Sequence, residues 1–153
     1  MDSVEPVSRA LLEETEAFLH EKIPLTRAMK ISVSSFDAAG LVLEAPLEEN
    51  HNHLGTAFGG SLSVIATLAA YAFLWIELHD REAHVVIRDS AMSFLRPVRK
   101  TLRARCAWPA PETLAEFKAC FSRKGKARIV LHVAVEEDGE TAVAFQGTFV
   151  ARR

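Results

Sequence analysis

A long uncharged stretch in the first half of the chain limits how this protein can fold. Between Asn50 and Ile76 there is no Asp, Glu, Lys or Arg. From about Gly60 to Leu78 the residues are apolar on most faces of a helix roughly 30 Å long. That length imitates a membrane span, but the first half of the stretch holds polar residues and glycines. A helix that is apolar on most sides must be enclosed, so we predict a buried central helix and no membrane contact.

The rest of the chain supplies strands to enclose this helix, because apolar and polar residues alternate there. An amphipathic helix over residues 8–23, with Ser8 as its N-cap, should come first, and a short helix with a Thr113–Glu116 capping box should precede the last two strands. The six strands are expected near residues 29–34, 41–45, 83–96, 101–108, 129–135 and 143–149. Hairpin connections favour one antiparallel sheet, so the predicted fold class is α+β, with the sheet wrapped around the central helix.

Strict alternation makes a specific prediction for the longest strand, over residues 83–96. It places seven residues on one face: His84, Val86, Arg88, Ser90, Met92, Phe94 and Arg96.

Length and composition indicate one ordinary globular domain. The chain has 153 residues, 49% of them hydrophobic and 25% charged, which excludes disorder. Two cysteines, Cys106 and Cys120, are too few for a disulfide framework or a zinc site and are expected to be reduced. The acidic N-terminus has no apolar run after it, so we predict no signal peptide and a cytoplasmic protein.

The charge is small overall but uneven. The net charge of −2 gives no indication of nucleic-acid binding. Residues 1–53 hold 10 acids and 4 bases, whereas residues 54–153 hold 10 acids and 14 bases. Two basic groups suit either a solvated sheet face or contact with phosphates or an acidic protein: Arg96, Arg99, Lys100, Arg103 and Arg105, and then Arg123, Lys124, Lys126 and Arg128.

The segment just before the central helix carries the candidate chemistry. Gly59 and Gly60 open the helix, where backbone N–H groups are unpaired and the helix dipole is positive. Such a site can stabilise a carbonyl oxygen that becomes an oxyanion, although a turn that needs glycine for close packing has the same sequence. His51 and His53 share a His-x-His spacing, but no third ligand is evident, so no metal is expected.

Two motifs resemble a known family. The run Gly55-Thr-Ala-Phe-Gly-Gly-Ser-Leu62, together with Gly125-Lys-Ala-Arg128 and Gln146-Gly-Thr-Phe-Val-Ala151, is similar to the YiiD C-terminal-type thioesterases of the hotdog-fold superfamily. The resemblance covers roughly residues 8–151. It implies a hotdog fold and a homodimer or dimer of dimers. It also implies acyl-thioester substrates on coenzyme A or an acyl carrier protein, with no cofactor beyond the coenzyme A of the substrate.

The resemblance also assigns candidate site residues. In related hotdog thioesterases an Asn stands six positions before a His-Gly-Gly, and an acidic residue follows that His by nine positions. Here Asn52 matches the Asn, Gly59 would turn its N–H to the thioester carbonyl beside Gly60, and Thr67 takes the acidic position. The expected substrate contacts are Phe58 (which replaces the His), Ser61, Asp89, Ser90 and Arg96.

Because Thr67 is a poor base, several alternatives stay open. The candidates for the general base are Asp89, a histidine of the 51–53 loop and a group of another subunit. Thr67 itself could have no role in the site and only form a hydrogen bond with its own helix backbone. The main prediction is an acyl-thioesterase. A non-catalytic acyl-thioester binding module is the second, and a hydroxyacyl-thioester dehydratase or a purely structural domain are less favoured.

Overall fold

The computed structural model describes residues 5–153, so the first four residues of the acidic N-terminus lie outside the described part. Four helices are present: α1 (Arg9–Lys22), α2 (Leu25–Ala28), α3 (Gly59–Leu78) and α4 (Pro111–Lys124). Six strands accompany them: β1 (Ser32–Asp37), β2 (Gly40–Ala45), β3 (His84–Phe94), β4 (Leu102–Cys106), β5 (Lys126–Glu137) and β6 (Glu140–Arg152). The strands form one antiparallel sheet in the order β1-β2-β4-β5-β6-β3.

Helix α3 is the centre of the core, as its apolar sequence predicts. It is long and apolar enough to cross a membrane, but most of its residues are buried within this fold. Strand β5 faces this core with alternate residues: Ala127, Ile129 and Leu131 are buried, and the residues between them are exposed. Phe73 of α3 packs edge-on against Phe36, with 5.4 Å between ring centroids. The predicted α+β arrangement of a sheet around one helix is therefore confirmed.

A β-bulge overturns the predicted alternation of β3. Directly opposed residues of antiparallel strands share a face, and His84 and Val86 lie opposite the outer-face residues Arg152 and Val150 of β6. The register shifts between Ile87 and Asp89. The extra residue changes the parity, so the later residues Ser90, Met92 and Phe94 lie on the inner face, opposite Gly147, Phe145 and Val143.

Helix ends agree with the sequence at α1 and disagree at α4. The Ser8 hydroxyl accepts a hydrogen bond from the Leu11 N–H, as predicted. The prediction of a Thr113–Glu116 capping box is wrong. Helix α4 begins earlier, after Ala110, with Pro111 in its first turn and no side-chain cap. Proline fits that position because its fixed φ is helical and the first-turn N–H has no helical partner.

The two thiols should differ sharply in reactivity. Cys106 is fully buried, and burial raises its pKa to about 12, whereas Cys120 is partly exposed. Because the thiolate is the reactive form, Cys106 should resist modification at pH 8. We expect an aromatic disulfide reagent to titrate one thiol per native chain and two in denaturant. Two fast native thiols would contradict the buried position of Cys106.

Candidate functional site

The site begins at the N-terminus of α3, which has no side-chain cap. The N-cap residue is Phe58, whose own N–H donates to the Asn50 carbonyl at 2.7 Å. The first helical bond is from Leu62 N–H to the Phe58 carbonyl, at 3.0 Å. Within residues 5–153, the N–H groups of Gly59, Gly60 and Ser61 donate to no carbonyl or side chain. Three donors at the positive end of a helix dipole are thus available to a carbonyl oxygen.

Two phenylalanine rings stand beside these donors. A Cβ on Gly60 would lie 2.4 Å from Cε1 of Phe58, and a Cβ on Gly59 would lie 3.8 Å from Cε1 of Phe94. Both phenylalanine residues are 56% exposed, which is unusual for such large apolar residues. The predicted contact residue Phe58 therefore does lie at the helix N-terminus. A residue larger than glycine at position 60 would have to displace the Phe58 ring.

A cavity of about 260 Å³ adjoins the helix N-terminus. It contains Gly59 and the predicted contact Arg96, and its other lining residues are Ala57, Leu62, Phe94, Leu95, Pro97 and Val98. This lining is mostly apolar, as in pockets that hold small organic groups. Arg96 is ion-paired with Glu140, and no carboxylate from residues 5–153 lines the cavity.

Most of the hydrogen bonds that the Asn52 side chain can form are made within its own loop. Its Oδ1 accepts from the N–H groups of Leu54 and Thr56, at 2.9 and 3.2 Å, and its Nδ2 donates to the Thr56 hydroxyl at 2.9 Å. One amide hydrogen of Asn52 is then left to bind a water or a substrate.

Thr67 lies on the same side of α3 as Gly60. Seven residues are close to two turns, so the two are about 10 Å apart along the axis. The Thr67 hydroxyl donates a hydrogen bond to the Ser63 carbonyl of its own helix, at 2.8 Å, as one of the alternatives predicted. The lone pairs of the hydroxyl oxygen can still accept a hydrogen bond from another group. Further along the same partly exposed stripe lies Tyr71, whose pKa is raised by burial, so that its hydroxyl stays protonated at neutral pH.

The predicted residues of β3 are not gathered at the helix N-terminus within one subunit. Ser90 is four residues from Phe94, about 13 Å along the strand. Asp89 is on the outer face, exposed, with a carboxylate oxygen 3.8 Å from Arg88 Nε. The described residues hold no group of three or more His, Cys, Asp or Glu side chains placed for a metal ion.

Sequence reasoning missed Asn50, which anchors the loop to the core. Asn50 is buried, and its Nδ2 donates to the carbonyls of Met29 and Pro46 at 2.9 and 2.8 Å. Its Oδ1 has no hydrogen-bond partner among residues 5–153. Its backbone carbonyl holds Phe58, so Asn50 ties the start of α3 to the strand side of the core. A lone polar residue before two histidines gives little signal in sequence.

Replacing Asn50 with aspartate should destabilise the protein by about 2–4 kcal/mol, because two donated hydrogen bonds become carboxylate–carbonyl contacts in a buried site. Chemical denaturation measures this change. Asn52→Asp is the matched control: aspartate still accepts from Leu54 and Thr56, so we expect a change within about 1 kcal/mol. Equal losses in the two variants would contradict the anchoring role.

Comparison with known proteins identifies the family to which these features belong. Residues 12–153 match the family described as "Putative thioesterase (yiiD_Cterm)". The chain belongs to the YiiD C-terminal thioesterase family. The resemblance noted from the glycine motif is confirmed.

Solved structures support this membership in the YiiD C-terminal family. A protein of unknown function from Chlorobaculum tepidum TLS is 31% identical, with a TM-score of 0.86 and 94% of each chain covered. A "putative thioesterase" from Shewanella oneidensis is 27% identical, with a TM-score of 0.82 over 95% of this chain and 100% of that one. A thioesterase from Haemophilus influenzae shares the fold, at 18% identity and a TM-score of 0.61 over 92% and 89% of the two chains. The predicted hotdog fold is confirmed.

Proposed function

We propose that this protein hydrolyses acyl thioesters carried on coenzyme A or an acyl carrier protein. The observation that supports this most is the uncapped start of α3, with the N–H groups of Gly59, Gly60 and Ser61 unpaired beside an apolar cavity. Donors of this kind stabilise the oxyanion of a tetrahedral intermediate in acyl transfer. Membership in a thioesterase family fits the same chemistry.

The proposed mechanism is direct attack by water. The thioester carbonyl oxygen binds the α3 N-terminus, and the acyl chain lies between Phe58 and Phe94. The spare amide hydrogen of Asn52 orients the water. Thr67 is about 10 Å from Gly60 along α3, so its acceptor lone pairs contact this water only at a site completed by a second subunit. Its oxygen adds to the carbonyl carbon, the C–S bond then breaks, and the proton lost by the water ends on the departing sulfur. Thr67 serves as a hydrogen-bond acceptor because a hydroxyl cannot act as an efficient base at neutral pH.

The proposed active form is a homodimer formed through the edge of β3. This strand has a free edge over 11 residues and exposes Val86, Ile87 and Phe94. Natural proteins rarely leave such a long apolar edge uncovered. A two-fold axis pairs β3 with itself in antiparallel fashion. Light scattering should give twice the chain mass of 16.9 kDa, and a monomer mass at micromolar concentration would contradict the dimer.

Thiol release from acyl-coenzyme A esters, from acetyl to palmitoyl, tests the proposed activity. We expect turnover with a single chain-length optimum, above a protein-only blank that accounts for Cys120. One observation favours a second candidate, a non-catalytic acyl-thioester binding module: within the described part of the chain, no carboxylate lines the cavity. Saturable binding without turnover, on coenzyme A and carrier-protein substrates alike, would favour that candidate.

A further inference from the structure

A second concave surface lies at the opposite end of β3 from the helix N-terminus. This basic groove has a volume of about 840 Å³. Five of its lining residues are cationic, and the others are apolar or Cys120: Val86, Arg88, Cys120, Lys124, Lys126, Ala127, Arg128, Val150 and Arg152. Among the residues that the structure describes, no acidic side chain lines it.

The register of the sheet crowds these cations together. Lys126 of β5 lies directly opposite Arg152 of β6, and His84 of β3 lies opposite Arg152 on its other side. Arg128 is two residues beyond Lys126 on the same face, about 7 Å away. Like charges directly opposite each other destabilise a sheet. A bound anion would reduce the repulsion between these neighbouring positive charges.

Ion pairing separates this groove from the other basic group of the chain. Arg103 and Arg105 are paired with Glu44 and Glu136, at 2.5 and 3.3 Å, and Lys100 is paired with Asp138 at 2.7 Å. In the groove, by contrast, only Arg88 is ion-paired, with Asp89 at 3.8 Å. Its other four cations form no ion pair with any residue from 5 to 153: Lys124, Lys126, Arg128 and Arg152. The positive charge of the second half of the chain is therefore concentrated here.

We propose that the basic groove binds the phosphorylated nucleotide end of coenzyme A, an inference that rests on the proposed function. The volume suits a ligand of nucleotide size, and arginine and lysine side chains are the usual partners of phosphates. Several cations within about 10 Å fit a compact diphosphate better than the broad face of an acidic protein.

The position of the groove connects it with the proposed dimer. Val86 is eight residues from Phe94, so within one subunit the groove and the α3 N-terminus are about 26 Å apart along β3. When two β3 edges pair in antiparallel fashion, the groove of one subunit and the α3 N-terminus of the other lie at the same end of the joined sheet. The groove is on the outer face and the helix is on the inner face, so a ligand reaches both by passing around the strand ends. Each substrate then spans both subunits, with its phosphates on one and its thioester on the other.

Charge reversal in the groove tests this inference without relying on activity alone. Adenosine 3′,5′-bisphosphate is the probe, titrated calorimetrically into Arg128→Glu and into the control Arg27→Glu, an exposed arginine of α2 near the other edge of the sheet. We expect Arg128→Glu to weaken probe binding about 10- to 100-fold, as for a lost charge-assisted hydrogen bond, and Arg27→Glu to change it less than about twofold. The ratio of KM for acyl-coenzyme A to KM for the same acyl-pantetheine should rise by a similar factor only in Arg128→Glu.

The possible outcomes separate this inference from the proposed function. Probe binding that depends on Arg128, with no thioester hydrolysed, would support the groove and overturn the thioesterase. Hydrolysis in which Arg128→Glu and Arg27→Glu have equal KM ratios would support the thioesterase and overturn the groove. No probe binding, with Arg128-dependent hydrolysis of an acyl carrier protein, would overturn coenzyme A as the occupant in favour of an acidic protein.

Discussion

Replacing Gly59 with proline should lower kcat for acyl-thioester hydrolysis about 10²- to 10³-fold, the usual effect of removing one oxyanion donor. Proline deletes the N–H that we place against the carbonyl oxygen. The fold should tolerate it, because Gly59 is the first residue of α3, where proline is common. Phe58 already has the extended backbone that a residue before proline prefers, with φ −67° and ψ 134°.

Gly59→Ala is the matched control for this substitution. It adds a Cβ in the same place, where the nearest atom outside the helix backbone is 3.8 Å away on Phe94, and it retains the N–H. We expect Gly59→Ala to retain activity within about tenfold, the thermal midpoints of both variants staying within a few degrees of the parent. If the proline variant turns over as fast as the alanine variant, the Gly59 N–H is not an oxyanion donor.

The largest loss of stability is expected from Gly40→Ala, at about 4 kcal/mol or more. Gly40 has φ +116°, which side chains other than glycine rarely adopt, and a Cβ there would lie 2.2 Å from the Cys106 carbonyl oxygen. That oxygen belongs to the backbone of β4, which cannot move without breaking the pairing between β2 and β4. Thermal unfolding should show a midpoint about 10 °C lower, or no cooperative transition.

Gly139→Ala separates the clash from the backbone conformation. Gly139 follows Asp138 in the turn between β5 and β6, with φ +77°, and a Cβ there meets nothing within 4 Å. Only the left-handed conformation then costs energy, about 1–2 kcal/mol. Equal destabilisation by the two alanines would show that the contact with Cys106 is unimportant.

The fold could be predicted from hydrophobic pattern because the pattern is unusually clear. A helix apolar on most sides leaves enclosure as the only solution, and the alternating segments are long enough to enclose it. The bulge at Arg88 could not be predicted, because its sequence alternates normally and only pairing with β6 reveals the extra residue. The start of α4 was misplaced because proline and a serine- or threonine-based box are both helix-start signals, and here the proline occupies the first turn.

The candidate site was predicted in part. Gly59 and Gly60 are at the helix N-terminus as expected, because two glycines before an apolar helix leave the N–H groups open. The hydrogen bonds of Asn52 and Thr67 to their own surroundings depend on loop and helix geometry that spacing does not encode. Asp89 and Ser90 are distant from Gly59 in one subunit, so their role as substrate contacts is a prediction for the dimer.

The number of thiols released per subunit, with acyl-coenzyme A in large excess, tests the central claim most directly. The account predicts many turnovers by the parent protein, and far fewer by Gly59→Pro than by Gly59→Ala under the same conditions. Release that stops at or below one thiol per subunit across coenzyme A and carrier-protein substrates, while those substrates still bind, would contradict the hydrolase and leave a binding module.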